Sequence, residues 1–424
     1  MKALSNNLFT EVSQHFSTPT FLYDTNIIRE QYLTLRELLT PSCELFYSIK
    51  ANPTLAICQY FNFLGANCEV SSKNELLIAL KAGFRAEQII FVGPAKKAEE
   101  IESCIQNKIK SIVCESIEEV YLINSLSEKY QIKMSIMIRV NPDFCILNAP
   151  IKMSGVASQF GIEVSQFVLS IEKIQQCEFV ILEGIQIYNA SRVLDSRSIK
   201  ENIANILSLA KFLYEKFGID CQTIDVGGGI GIPYFSNECE INIVELITDI
   251  NMLFDQYQKI FPATKFIMEL GRYFIAESGF LISEVQYVKK NKNKNYCIVD
   301  AGMHCHFAAT GLGSFVHRNF PMHFVPLDRM VDANQKKLYQ VVGPLCTPGD
   351  ILLKDIELPI VHTGDLIVLL NTGAYGLTAS PGRFLSHGSP AEVLYHHEKF
   401  YIARRRETND DILSTNIDLK SIFY

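Results

Sequence analysis

Lys50 lies in the stretch FYSIKANP (46–53), where an apolar run meets the turn signal Asn52-Pro53. The residue before a proline is pushed out of helical geometry, so Phe46, Tyr47 and Ile49 read as a buried strand with Lys50 at its last position. Burying an ammonium without a partner is costly. A lysine in a dry pocket has a depressed pKa and can form a Schiff base with an aldehyde. Far downstream, DVGGGIGIPY (225–234) sets three consecutive glycines behind another apolar run. Such glycines admit a ligand close to the backbone, and their N–H groups can form an anion-binding nest; a plain tight turn also fits. Arg272, in ELGRY (269–273), could add a charge-assisted contact to the same anion. A cofactor that carries both an aldehyde and a phosphate is pyridoxal phosphate. Glu269 is then available to pair with its pyridine nitrogen and make the ring a strong electron sink. An ordinary surface ion pair is the other reading of Glu269.

These residues need a scaffold that brings distant segments to one rim. Eight strand-like runs alternate with helical patterns: 43–50, 66–70, 89–92, 111–114, 135–140, 183–188, 222–226 and 265–269. SKNELLIALKAGF is expected to bury Leu76, Leu77 and Leu80 on one helix face, and NIANILSLAKFLYEKFG to close on Gly218 as a C-cap. Eight strand–helix units over this length predict an α/β fold, a (β/α)8 TIM barrel; an open doubly wound sheet also fits the spacing. Barrels of this kind keep their active sites at the C-terminal ends of the strands. Those ends carry Lys50, Glu69, Gly93-Pro94, Glu115, Arg139, Gln186 with Tyr188, the glycine triplet, and Glu269 with Gly271-Arg272. Beyond Tyr273, strand-like runs separated by Gly, Pro, Asn and Asp predict a second, C-terminal antiparallel β-barrel or sandwich domain. The expected division is 25–270 for the barrel and 1–24 with 271–424 for the β domain. TPTFLYD (18–24) is strand-like and fits either one. KKNKNKN (289–295) reads as a solvated hairpin loop.

Composition narrows the functions. Of 424 residues 48% are hydrophobic and 20% charged, which is globular. A net charge of −7 without any basic block argues against nucleic acid. No apolar run reaches the roughly 20 residues a bilayer span needs. The start, MKALSNNLFTEVSQHF, is polar without a signal-peptide core. Twelve cysteines without a CxxC pair read as reduced thiols of a cytoplasmic protein. His304 and His306 in MHCHF share one face if that segment is a strand; no carboxylates accompany them, so no metal is expected. The pair at 396–397 is treated in the same way.

The phrases YSIKAN, CEVSSKNEL, FVGPAKK, QFGI, DVGGGIGIPY, ELGRY, VDAGMH, GPLCTPGD and NTGAYG follow in this order over nearly the whole chain. In this the sequence resembles the fold-type III pyridoxal-phosphate decarboxylases, which include the ornithine and diaminopimelate decarboxylases and share their fold with alanine racemase. IKMSGVASQFGI and LCTP look closest to the branch that acts on conjugated amino acids, in butirosin and siderophore pathways. The resemblance implies Lys50 as the Schiff-base lysine and Glu269 at the pyridine nitrogen. It places Gly228, Gly229, Gly271, Arg272, Ser191 and Tyr375 around the phosphate, with Glu69 and Arg139 near the ring. It implies a homodimer in which Cys346 reaches the partner's site and reprotonates the product; a further buried thiol is its plain reading. Two departures stand out. Gln186 occupies the place given to a ring-stacking histidine, and Thr347 follows Cys346 where an acidic residue reads an amine. Arg192 is expected near the same mouth, either solvated or meeting a carboxylate. The function implied is decarboxylation of an amino acid, free, carrier-linked or a siderophore precursor. The alternatives are a racemase on the same fold, which Glu269 disfavours, and a degenerate homologue acting through a partner protein.

Overall fold

The computed structural model describes residues 5–146, 151–313, 317–327, 329–332 and 334–423. The first four residues of the polar start therefore lie outside the described residues. Two compact units emerge, Ile28–Ile275, and Met1–Ile27 with Ala276–Tyr424.

Eight parallel strands close on themselves in the first unit: Cys43–Ser48, Asn67–Val70, Ile89–Phe91, Ser111–Cys114, Met134–Asn141, Val180–Gln186, Thr223–Gly228 and Lys265–Leu270. Each pairs with its neighbour in chain order, and the eighth pairs back to the first. This is the (β/α)8 barrel, and closure rules out the open sheet. Strands buried on both faces read as near-continuous apolar runs, which is why these were visible in the sequence. Phe46, Ile90, Val92, Val113, Met137 and Ile267 pack into one buried cluster.

The helices between the strands are set by local signals. Ser72 Oγ accepts from Glu75 N at 3.1 Å to start Lys73–Ala82, and Gly83 ends it at φ +96°. Leu76 and Ala79 face the core there, while Leu77 is half exposed. The expected apolar face was thus one residue too wide. The helix Ser196–Phe217 closes on Gly218 at φ +67°, as expected. No helix among the described residues is long and apolar enough to cross a membrane.

The second unit holds a nine-stranded sheet, largely antiparallel. Thr20–Asp24 belongs to it, antiparallel to Gly279–Asn291 and parallel to Ala391–His396. Lys294–Val299 with Lys336–Val342 is a second parallel pair. KKNKNKN is mostly strand rather than loop. Pairing runs out to Asn291 and Lys294, joined by Lys292 and Asn293 at φ +44° and +64°, the positive-φ pair that two-residue hairpins favour. MHCHF is a turn, so His304 and His306 do not share a strand face. Among the described residues no group of three or more His, Cys, Asp or Glu is placed to hold a metal ion.

Candidate active site

The first barrel strand ends at Ser48, and Lys50 lies in the short 3-10 turn Ile49–Ala51 that follows. The strand thus ends two residues before Lys50, the residue expected from the sequence to be its last. Tyr47, stacked on Phe61 at 3.8 Å between ring centroids, donates its hydroxyl to Asn52 O at 2.9 Å and so pins the turn. Lys50 Nζ donates to both Glu69 oxygens, at 2.9 and 2.8 Å. The Lys50 side chain is 36% exposed and that of Glu69 0%. The dry, unpaired lysine expected from the sequence is therefore replaced by an ammonium at the rim facing a full carboxylate. Ser71 Oγ adds a third donor to Glu69 at 2.9 Å. Burial pushes the Glu69 pKa up, but the Lys50 charge and hydrogen bonds from Lys50, Ser48 and Ser71 hold it below the usual value.

Deeper in the barrel, cross-strand register gathers three polar side chains. Arg139 and Asp225 both stand opposite Gln186 on its two flanks, and Gly228 stands opposite Glu269 across a bulge. Glu269 is 2% exposed, which excludes the surface-pair reading. Gln186 Nε2 lies 3.3 Å from each Glu269 oxygen. Gln186 is fully buried and donates toward that carboxylate. The Tyr188 ring lies beside Lys50, with Nζ 5.8 Å from its centroid. Tyr188 was visible at a strand end without being assigned a role. Asp225, fully buried, was missed altogether. Its one signal was a lone acid in the apolar run just before the glycines. Burial raises the pKa of Asp225 well above its usual value, and the Glu269 charge adds to this. Glu269 is raised as well, by burial and by the Glu69 charge.

Arg139 donates from Nη1 to Glu115 Oε1 at 2.9 Å, with both side chains almost wholly buried. Glu115 Oε2 accepts from Gly161 N at 3.1 Å, and the Arg139 guanidinium lies 4.6 Å from the Phe160 ring centroid. The pair thus clamps the QFGI segment. The Arg139 Nε and Gln186 Oε1 atoms are buried without a hydrogen-bond partner.

The glycine triplet is required first by the protein's own packing. Gly227 and Gly229 have φ of +66° and +88°. A Cβ on Gly229 would overlap the Ala190 carbonyl, and one on Gly228 the Glu269 carbonyl. Val193 N donates to Gly229 O at 2.9 Å and Gly231 N to Val193 O at 2.8 Å, lacing this loop to the segment that carries Ser191. Ser191 itself pairs with Ile151 in a short antiparallel bridge. Gly271 packs against Ala51, one residue from Lys50. Arg272 Nη1 donates to Tyr234 Oη at 3.0 Å. Arg192 is paired rather than solvated: it meets Glu238 at 3.3 Å and lies over the rings of Tyr234 and Phe235.

This donor set fits pyridoxal phosphate. It offers an amine for the aldehyde, a buried carboxylate one paired strand away for the ring nitrogen, and an aromatic face beside the amine. The loops after the seventh and eighth strands add glycine backbone and Arg272 for a phosphate, where barrels commonly bind one.

Cys346, Thr347 and Tyr375 belong to the second unit. Cys346 is exposed, unlike most of the twelve free cysteines, so the buried-thiol reading does not hold. Its loop is tied down by Asp350, which accepts from Met303 N at 2.6 Å and Leu345 N at 2.9 Å. Thr347 N donates to Leu345 O at 2.7 Å within the same loop. Tyr375 has φ +54° in the turn after the strand Leu366–Leu369.

Residues 25–276 match the family model described as pyridoxal-dependent decarboxylase, pyridoxal binding domain. The chain is 37% identical to the L-glutamyl-[BtrI acyl-carrier protein] decarboxylase of Niallia circulans, over 97% of this chain and 96% of that one. It is 30% identical to the diaminopimelate decarboxylase of Aquifex aeolicus, over 96% and 94%. The crystal structure of diaminopimelate decarboxylase from Helicobacter pylori complexed with L-lysine superposes with a TM-score of 0.86 at 29% identity, covering 98% of this chain and 100% of that one. A closed barrel with an amine at its mouth, a buried carboxylate near the end of its eighth strand and a matching family model lead to one conclusion: the chain belongs to the pyridoxal-dependent decarboxylases.

Proposed function

We propose that this protein removes the α-carboxylate of an amino acid as carbon dioxide, and that the amino acid lacks a cation at its far end and is presented as a conjugate on a carrier protein. Membership of the family supports the reaction and its cofactor, pyridoxal phosphate. Likeness over nearly the full length to an enzyme named for carrier-linked glutamate supports the conjugate. Thr347 beside Cys346 supports the missing cation, because a hydroxyl presents no full charge to an ammonium.

When bound, pyridoxal phosphate supplies an electron sink for the pair left on the α-carbon as carbon dioxide departs. The chain's own residues do the rest. Lys50 presents its amine, and Glu69 orients it and takes up its positive charge. Glu269 would pair with the ring nitrogen and favour a proton there, with Gln186 holding its carboxylate in place. Tyr188 covers one face of the site and limits water. Gly228, Gly229, Gly271, Ser191 and Arg272 would hold the phosphate end. We take the working form to be a homodimer in which Cys346 returns a proton to the α-carbon in the neighbouring subunit's site.

The observation that carries this reading is the Lys50–Glu69 pair at the mouth with Glu269 buried one paired strand away. The test is carbon dioxide release from a panel of free amino acids and of glutamate on an acyl-carrier protein, using protein supplied with the cofactor. Release from the carrier-linked substrate is expected. Loss of optical rotation without carbon dioxide would instead make the protein a racemase.

A further inference from the structure

Glu69, Asp225 and Glu269 bring three buried carboxylates to the C-terminal ends of barrel strands. Two cations stand near them, and both are engaged: Lys50 by Glu69 and Arg139 by Glu115. Among the described residues neither Asp225 nor Glu269, on paired strands, has an ion-pair partner. Two adjacent carboxylates in a dry site cannot both ionise, so one proton must be shared between them.

The geometry decides where that proton resides. Glu269 accepts from Gln186 Nε2 on both oxygens, which favours its anion. Asp225 Oδ1 accepts from Gly227 N at 2.8 Å. Asp225 Oδ2 is fully buried and meets no hydrogen-bond partner among the described residues, on the strand paired with the one that carries Glu269. A buried carboxyl oxygen that finds no donor can pair with a neighbouring carboxylate only by carrying the proton itself. We propose that Asp225 is a neutral acid at physiological pH that donates its hydroxyl hydrogen to Glu269, and so keeps Glu269 an ionised carboxylate held toward the cofactor's ring nitrogen.

Asp225 is thus a positioning residue acting through Glu269, and the proposal rests on the reading of Glu269 given above. The titratable and charged groups around the pair agree with it. Glu69 repels a charge on either acid, and Lys50 and Arg139 favour the charge on Glu269; the buried Cys43 thiol, held protonated by burial, adds no charge beside Asp225. Burial and then the Glu269 charge push the Asp225 carboxyl well upward, whereas Glu269 is eased back by Lys50, by Asp225 and by Arg139.

Asparagine separates a neutral from an ionised aspartate. In Asp225→Asn the amide oxygen can still accept from Gly227 N and the amide nitrogen can still donate to Glu269, so the variant copies the protonated acid atom for atom. Leucine offers neither bond. The experiment uses the full-length protein with and without pyridoxal phosphate. Infrared difference spectra of wild type against D225N report protonated carboxyl groups directly. Titration with the cofactor reports affinity and the pH profile of its visible absorbance. Wild type is expected to show a carboxylic-acid carbonyl band, sensitive to deuterium, that D225N removes. D225N should keep cofactor affinity within about threefold and keep the absorbance profile. D225L should lose about tenfold or more in affinity and shift that profile, in line with losing a hydrogen bond to a charged group. The absence of such a band, or a D225N protein as impaired as D225L, overturns the proposal. The infrared arm needs no cofactor, so it holds even if D225L does not fold. Failure of wild type to bind the cofactor would refute the functional reading and leave the Asp225 result standing.

Discussion

Replacing Glu69 with Gln tests how the lysine is held. Gln keeps the volume and can still accept from Ser71 Oγ, but it offers Lys50 no charge and one acceptor oxygen where Glu69 offers two, at 2.9 and 2.8 Å. A hydrogen bond involving a charged group contributes about 1.5–3 kcal/mol, so losing one of the two bonds, and the carboxylate's charge with it, amounts to about 2–3 kcal/mol. Because the Lys50 side chain is 36% exposed, water screens part of this, and about 1.5–2 kcal/mol is the discounted figure. That corresponds to a loss of about 10- to 30-fold in turnover. The assay is single-turnover carbon dioxide release at saturating cofactor, with cofactor affinity measured beside it. A change below about threefold would show that the pair does not orient the amine. A loss as complete as that of Lys50→Ala would show that Glu69 does more than position it.

Breaking the buried Arg139–Glu115 pair from one side should be severe, since Glu115→Ala strands a guanidinium; about 3–5 kcal/mol of barrel stability is expected to go. Urea unfolding of Glu115→Ala, Arg139→Met and the double variant checks this, and a double variant no more stable than Glu115→Ala refutes it. Folded Asp225 holds its proton well above its ordinary value of 3.8, so its contribution is full below that pH and is lost as pH rises through the folded value. Wild type should therefore lose stability relative to Asp225→Asn between about pH 4 and neutrality, and a pH-independent difference contradicts the assignment. Gly229→Ala meets both a φ of +88° and the Ala190 carbonyl. It should loosen the cofactor by about tenfold or more with the barrel still folded, as a left-handed alanine alone costs about 1–2 kcal/mol. Unchanged affinity would remove this loop from the site.

The barrel was legible because its strands are buried on both faces. Runs such as SIVC and SIMIRV are dominated by apolar residues, and turn residues punctuate them. The β domain was less so. The strand Met322–Val325 is only four residues long and half-buried, and Ile351–Pro359 carries charges, so neither stood out. KKNKNKN looked like loop because its charge is outward-facing on an exposed hairpin, where side-chain polarity says little about backbone pairing. Within the site, ion-pair partners across strands were hidden. Lys50 and Glu69 are nineteen residues apart, and only the register Ser48 opposite Glu69 brings them together. Asp225 itself, and the partner of Gln186, were obscured for a further reason. Both are polar residues pointing inward from strands, and their partners are set by barrel closure, which no local pattern encodes.

The central claim is that the Lys50 amine binds the cofactor's aldehyde carbon. Borohydride reduction of the cofactor-loaded protein fixes that bond permanently, and peptide mass spectrometry then locates it. The account predicts a single pyridoxyl-phosphate adduct on the peptide containing Lys50, absent from Lys50→Ala. An adduct on another lysine, or none in wild type, would contradict it.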